Sequence, residues 1–130
     1  MKKFGIWFDF NIQPENEWIK FFDKLEYANI SECFINANAS QLNYLVSLAK
    51  NYNFSIHGWV WTLNRPYDEK SLKNLDWYSV NKNGQNSYEY RPYVDYYQWL
   101  SPFSKGAREY IKNNISKIAS VNGLSSVHLD

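Results

Sequence analysis

Four short apolar runs in this chain each end on side chains that can do chemistry. The first closes on Asp9, with Asn11 two residues later, and the second on Asn36 and Asn38. The third carries Trp59, Trp61 and Asn64, with His57 deeper, and the fourth is Val127-His128-Leu129-Asp130. Carboxylates exchange protons and accept hydrogen bonds, amides bond hydroxyl groups, and indoles offer a flat apolar surface to a ring. Such a set suits a carbohydrate. Asp130, at the last strand tip, is the first candidate reacting group. Asp9 is a second candidate acid, or else a strand-end carboxylate bonded to backbone amides or a neighbouring Asn. Trp61 is the candidate sugar platform, with Trp59 filling space on the same strand face. Asn36 and Asn38 either bond hydroxyls or pin loops, and Asn64 and His128 complete the polar set.

Positioning these groups requires strands that alternate with helices. Residues 3–10, 32–36, 55–62 and 126–130 read as strands, the first apolar nearly throughout, as suits a parallel strand covered on both faces. Between them run helical spacings. Trp18, Phe21, Phe22, Leu25 and Ala28 form one apolar stripe, with Pro14 in its first turn and Asn29 as its stop. Leu42, Leu45, Val46, Leu48, Ala49 and Tyr52 form a second, which Ser40 would cap. Ala107, Tyr110, Ile111, Ile115, Ile118 and Ala119 form a third, capped by Ser101 or Ser104 and ended by Gly123. This order implies right-handed crossovers and a parallel sheet. The predicted fold is therefore α/β: four parallel strands, the N-terminal half of a (β/α)8 barrel, whose reacting groups sit at the C-terminal strand ends. A whole barrel needs roughly 250 residues. The chain has 130, so residues 1–130 are expected to be one partial barrel domain.

Residues 63–103 interrupt the alternation and are far longer than a βα connection of about 2–6 residues. Within them, 76–80 and 86–90 flank Asn81-Lys-Asn-Gly84-Gln85, which predicts a hairpin with Gly84 in the left-handed region. Trp77 and Trp99, with Tyr93, Tyr96 and Tyr97, make this insertion aromatic. Leaving the C-terminal end of the third strand, it is expected on the ligand face as a wall or lid, with Trp77 and Trp99 as further substrate contacts.

Composition narrows the field. Lys and Arg number 14 against 13 Asp and Glu, which provides no field for nucleic acid or an anionic membrane and argues against a single-strand nucleic-acid binder. Aromatic content is 19% despite a mean hydropathy of −0.59, which suits planar ligands as well as an aromatic core. A single Cys33, set in an apolar run, excludes an internal disulfide and reads as a buried small hydrophobe. His57 and His128 lie on different strands without a nearby ligand set, so they read as hydrogen-bonding histidines, with no metal and no cofactor expected. There is no leader-like or membrane-spanning run, so as written the chain reads as cytoplasmic, or as secreted or periplasmic if a signal has been removed.

Several segments together resemble a known family. Gly5-Ile-Trp-Phe-Asp9, His57-Gly-Trp-Val-Trp-Thr-Leu-Asn64, Asp76-Trp-Tyr-Ser-Val-Asn-Lys-Asn-Gly84, Trp99-Leu-Ser-Pro, Ala107-Arg-Glu-Tyr-Ile and Gly123-Leu-Ser-Ser-Val-His-Leu-Asp130 follow the order found in glycoside hydrolases described as family 10-like. The match spans nearly the whole chain and the first half of that family's barrel. One departure is local: Leu124-Ser125-Ser126 stands where the family carries an Asp-Gly pair. The resemblance implies action on the O-glycosidic bonds of a polysaccharide or cell-wall glycan by two carboxyl groups flanking the bond, with Asp130 as proton donor or electrostatic partner and a second carboxylate from a later strand. The alternative is a carbohydrate-binding half-barrel without catalysis. Open sheet edges would also let it self-associate.

Overall fold

The computed structural model describes residues 2–130. It contains two compact units, residues up to Val60 together with Ile115–Asp130, and Trp61–Asn114.

The first unit is a four-stranded parallel sheet ordered β1-β2-β3-β4, with β1 Gly5–Asp9, β2 Glu32–Asn36, β3 Ser55–Val60 and β4 Ser126–Leu129. Helices α1 (Glu15–Tyr27) and α2 (Ala39–Leu48) form the first two crossovers. The α/β class and the half-barrel order are as the alternation predicts.

Register divides the sheet into two faces. Ile6 aligns with Cys33 and Ile56, and Phe8 with Ile35 and Gly58. This face packs in the core with Trp18, Phe22 and Leu25 of α1, Leu42 and Leu45 of α2, and Ile118. Cys33 is fully buried, and loss of solvation pushes its thiol pKa up to about 12. It is the small core residue its neighbours predict. Gly58 permits the close approach of this layer. A Cβ there would stand 2.7 Å from Ile118 Cγ2 and 3.2 Å from Leu42 Cδ1. Gly58→Ala is therefore expected to destabilise the sheet unit by about 1–3 kcal/mol through overpacking, measured as a fall in the urea midpoint with an unchanged slope.

Local chemistry sets the helix ends. Pro14 occupies the cap position of α1, just outside the helix, with φ −60° and ψ 150°. Glu15 and Glu17 lie in the first turn and Lys24 in the last, which suits the helix dipole. Asn29, at φ 56°, takes the left-handed position that ends it. Ala28, expected on the buried stripe, falls after the last turn and is exposed. Helix α2 is capped by Asn38 and not by Ser40. The Asn38 side chain accepts from the Gln41 N–H while the Gln41 side chain accepts from the Asn38 N–H, both at 2.9 Å.

The third strand stops at Val60, two residues sooner than predicted, so Trp59 and Trp61 do not share a strand face. Beyond it the backbone finds other partners: the Leu100 N–H donates to the Leu63 carbonyl, and Asn64 bridges to Trp99.

The second unit is built from loops, a one-turn helix α3 (Glu69–Leu72), a 3₁₀ turn at Leu75–Trp77, and the first residues of α4 (Lys105–Ala119). Neither short element was legible in the sequence. Asp68 caps α3 through the Ser71 N–H at 2.9 Å and accepts the Tyr110 hydroxyl at 2.8 Å. Tyr78, Leu100, Ala107 and Ile111 are its buried apolar residues, and the Ser104 Oγ accepts the Ala107 N–H at 3.4 Å, the predicted cap. The predicted hairpin is reduced to a turn closed by one bridge, Val80 to Asn86. Gly84 does take the left-handed region, at φ 79°. The returning arm leaves the strand because the Asn86 side chain captures the N–H groups of Tyr88 and Glu89, both at 3.0 Å.

Candidate active site

The second face of the sheet carries the chemistry. Asp9, Asn36, Trp59 and His128 are aligned partners across four strands, and Trp7, Phe34, His57 and Ser126 form the row beneath. The Asn36 Nδ2 donates to Asp9 Oδ1 at 2.8 Å. The Trp59 indole N–H donates to Asp130 Oδ2 at 3.2 Å. Asp130 itself follows β4, its backbone N–H bonded to the Val60 carbonyl at 2.9 Å. Thus each of the two candidate acids is oriented by a side chain from a neighbouring strand.

Below them three rings stack across three strands. Trp7 and Phe34 lie 4.4 Å apart at 10°, and Phe34 and His57 lie 4.6 Å apart at 18°. The His128 ring meets Trp7 at 6.1 Å and Phe34 at 5.4 Å, edge on. In a flat sheet, β1 and β4 would be roughly 14 Å apart, three spacings of about 4.8 Å. Contact between Trp7 and His128 therefore means that the sheet is rolled, with this face on the concave side. Trp7 remains 50% exposed, so the concavity is open to solvent.

At the N-terminal end of the strands, His57 bridges two groups. Its Nε2 lies 2.7 Å from Glu32 Oε2 and its Nδ1 lies 2.7 Å from Ser126 Oγ. Lys3 Nζ reaches the other Glu32 oxygen at 3.0 Å. A carboxylate only accepts, so Nε2 carries the proton. The Ser126 hydroxyl then donates to a neutral ring or accepts from a charged one. The His57 hydrogen bond, helped by Lys3, holds the Glu32 carboxyl below its ordinary value of 4.5. A depressed folded-state pKa gives stability that is full above the unfolded value and is lost as pH falls through the folded one. Glu32→Gln is expected to flatten the acid side of the stability profile below pH 4.5, followed by urea unfolding at stepped pH.

The remaining expected site residues are distributed as follows. Asn38 is occupied as the α2 cap. Asn64 is buried, its Oδ1 accepting the Gln98 N–H at 2.9 Å. Trp61 is half-buried and stacks on Tyr96 at 6.2 Å. Trp77 is half-buried against α4: a Cβ on Gly106 would lie 2.5 Å from its indole nitrogen. Trp99 is exposed beside Tyr97, ring centroids 5.6 Å apart. All four of Trp61, Asn64, Trp77 and Trp99 belong to the second unit. Among the described residues, no group of three or more His, Cys, Asp or Glu could hold a metal ion. No helix among them is long and apolar enough to cross a membrane.

Sequence reading missed Trp7, Phe34 and the Glu32–His57–Ser126 bridge. The signal was present in parity. Every second residue from Asp9, Asn36 and Trp59 shares their face, which brings Trp7, Phe34, Glu32 and His57 onto it.

Sequential parallel strands, intervening helices and a polar concave face define the fold as half of a β/α barrel, the scaffold of a glycoside hydrolase of known structure. That structure is the polyextremophilic β-galactosidase from the Antarctic haloarchaeon Halorubrum lacusprofundi, to which this chain is similar with a TM-score of 0.77 at 11% identity. The match covers 99% of this chain and 21% of that one. At that identity the likeness establishes the fold alone. No family model and no curated protein matches the sequence.

Proposed function

We propose that these strands are the first half of a sugar-cleaving barrel of the family 10-like kind, acting on O-glycosidic bonds of a polysaccharide or cell-wall glycan. The observation that carries the reading is the concave row of acid, amide, indole and imidazole, with Asp130 held by Trp59 and Asp9 by Asn36. In this reading Asp130 protonates the departing glycosidic oxygen. A second carboxylate either attacks the anomeric carbon or activates water, with separations of about 5–5.5 Å for retention and about 6.5–9.5 Å for inversion. Asp9 is three strands away and serves only through the roll of the sheet; otherwise the second acid comes from a strand that closes the barrel.

Closure requires partners for the β1 and β4 edges, from further strands or from a second copy of this chain. Residues 1–130 alone are expected to self-associate and to lack turnover. The test is reducing-end release from a panel of glycans by the natural polypeptide and its Asp130→Asn variant. Absence of cleavage across the panel overturns hydrolysis.

A second reading, glycan binding without cleavage, is favoured by one observation: both carboxylates are already hydrogen-bonded within the sheet. It requires Trp59→Ala to weaken glycan binding while Asp130→Asn leaves it unchanged.

A further inference from the structure

The second unit contains a cavity of about 660 Å³, formed by residues between Ser79 and Trp99. This is within the usual range of about 300–1,000 Å³ for small-ligand sites. Tyr90, Tyr93, Tyr97 and Trp99 line it, and all four rings are exposed, Tyr93 by 88%. Exposure of four aromatic rings around one concavity is costly in water, and a ligand with an apolar face would relieve it. Ser79, Asn81, Gln85 and Ser87 add polar lining. Asn81 spends its side-chain oxygen on the N–H groups of Asn83 and Gln85 and its amide nitrogen on Gln85 Oε1, and this fixed turn presents the Gln85 amide at the cavity.

Charge discriminates among ligands. Of the eleven lining residues, Arg91 alone carries a charge, and none is acidic. The Arg91 Nη1 donates to the Tyr88 carbonyl, which anchors the guanidinium on one side. A guanidinium that lines the cavity as its single charge is suited to a carboxylate. The absence of lining carboxyl groups means that this cavity cannot perform two-acid hydrolysis.

We infer that the cavity binds an acidic pyranose, a hexuronate unit of a polysaccharide, with the ring stacked on the tyrosines or Trp99 and the carboxylate on Arg91. It is a binding site separate in chemistry from the strand tips, and it does not depend on hydrolysis there.

The test is a two-dimensional amide NMR titration of the full chain with galacturonate and glucuronate oligosaccharides, and with neutral galactose and glucose oligomers of equal length. Shifts are expected at residues 79–99, with acidic oligomers binding about tenfold tighter and losing that margin as salt rises. Arg91→Gln is expected to remove the preference for acid. Tyr93→Ala, at an exposed position where folding is not at stake, is expected to weaken all binding about tenfold. Equal affinity for neutral and acidic oligomers overturns the inference. So do shifts confined to the strand tips, an unchanged Tyr93→Ala affinity, or capture of proline-rich peptides at these tyrosines without any response to uronates. Loss of cleavage with intact uronate binding would count against the strand-tip chemistry alone.

Discussion

Asp130→Asn is expected to lower glycan hydrolysis by roughly 10²–10⁴-fold, the usual contribution of a positioned acid or base. The substitution is nearly isosteric. Its carboxamide oxygen can still accept the Trp59 indole N–H, and the backbone bond to the Val60 carbonyl is untouched. What disappears is the proton. The loss should therefore fall on kcat, with KM and the unfolding midpoint close to those of the parent, in assays of the natural polypeptide. Trp59→Phe makes a useful companion because it keeps the ring and deletes the donor. If Trp59 positions Asp130, this variant should lower kcat without abolishing turnover and with KM little changed. Unchanged kcat in Asp130→Asn would remove Asp130 from the chemistry and leave the concave row as a binding surface.

Phe22→Ala is expected to cost about 3–5 kcal/mol, a large share of the roughly 5–15 kcal/mol that holds an ordinary domain together. Phe22 is 0% exposed. Its ring meets Trp18, Phe21, Tyr52 and Phe54 at centroid distances of 5.2–6.3 Å across the whole aromatic cluster. The cavity would open between α1 and the approach to β3, where rings tilted or edge-on to Phe22 cannot collapse to fill it. Tyr27→Ala on the same helix, at a residue 92% exposed, should change stability by less than about 0.5 kcal/mol. Urea titrations of the two variants separate core packing from helix propensity. Equal losses would mean that the ring cluster is not what holds α1 to the sheet.

The sheet was readable because its signals are local. Residues 32–36 place an apolar Cys33-Phe34-Ile35 between polar Glu32 and Asn36 and are the strand as found, and Asp9 and Asn36 were already neighbours in the expected row of tips. The α2 cap was also within reach. Asn38 is followed three residues later by Gln41, the reciprocal capping pattern, and Ser40 has no such partner. The end of β3 was not legible. The apolar run continues through Trp61 and Leu63, and it leaves the sheet because its backbone pairs with residues 98–100, about 35 positions away. For the same reason Asn64 read as a hydroxyl binder, although its oxygen is spent on the Gln98 N–H. The Arg91 cavity was invisible to pattern reading, since loops without periodicity supply every side of it. Of the candidate acids, their positions on strand tips could be read, as could a neighbouring Asn as the partner of Asp9, but not the indole that orients Asp130.

Helix α4 has a consequence for how such a chain could be recombined. The boundary between the two compact units falls inside it, after Asn114. Ala107 and Ile111 are buried within one unit, whereas Ile118 joins the sheet core. The aromatic segment is therefore not a cassette that can be exchanged at its loop ends. A transplant cut at 63 and 103 would separate the graft from the helical turns that complete it. Exchange of this segment between proteins, in nature or in the laboratory, is expected to succeed when the crossover lies in the middle of a helix, where sequence alone offers no visible seam.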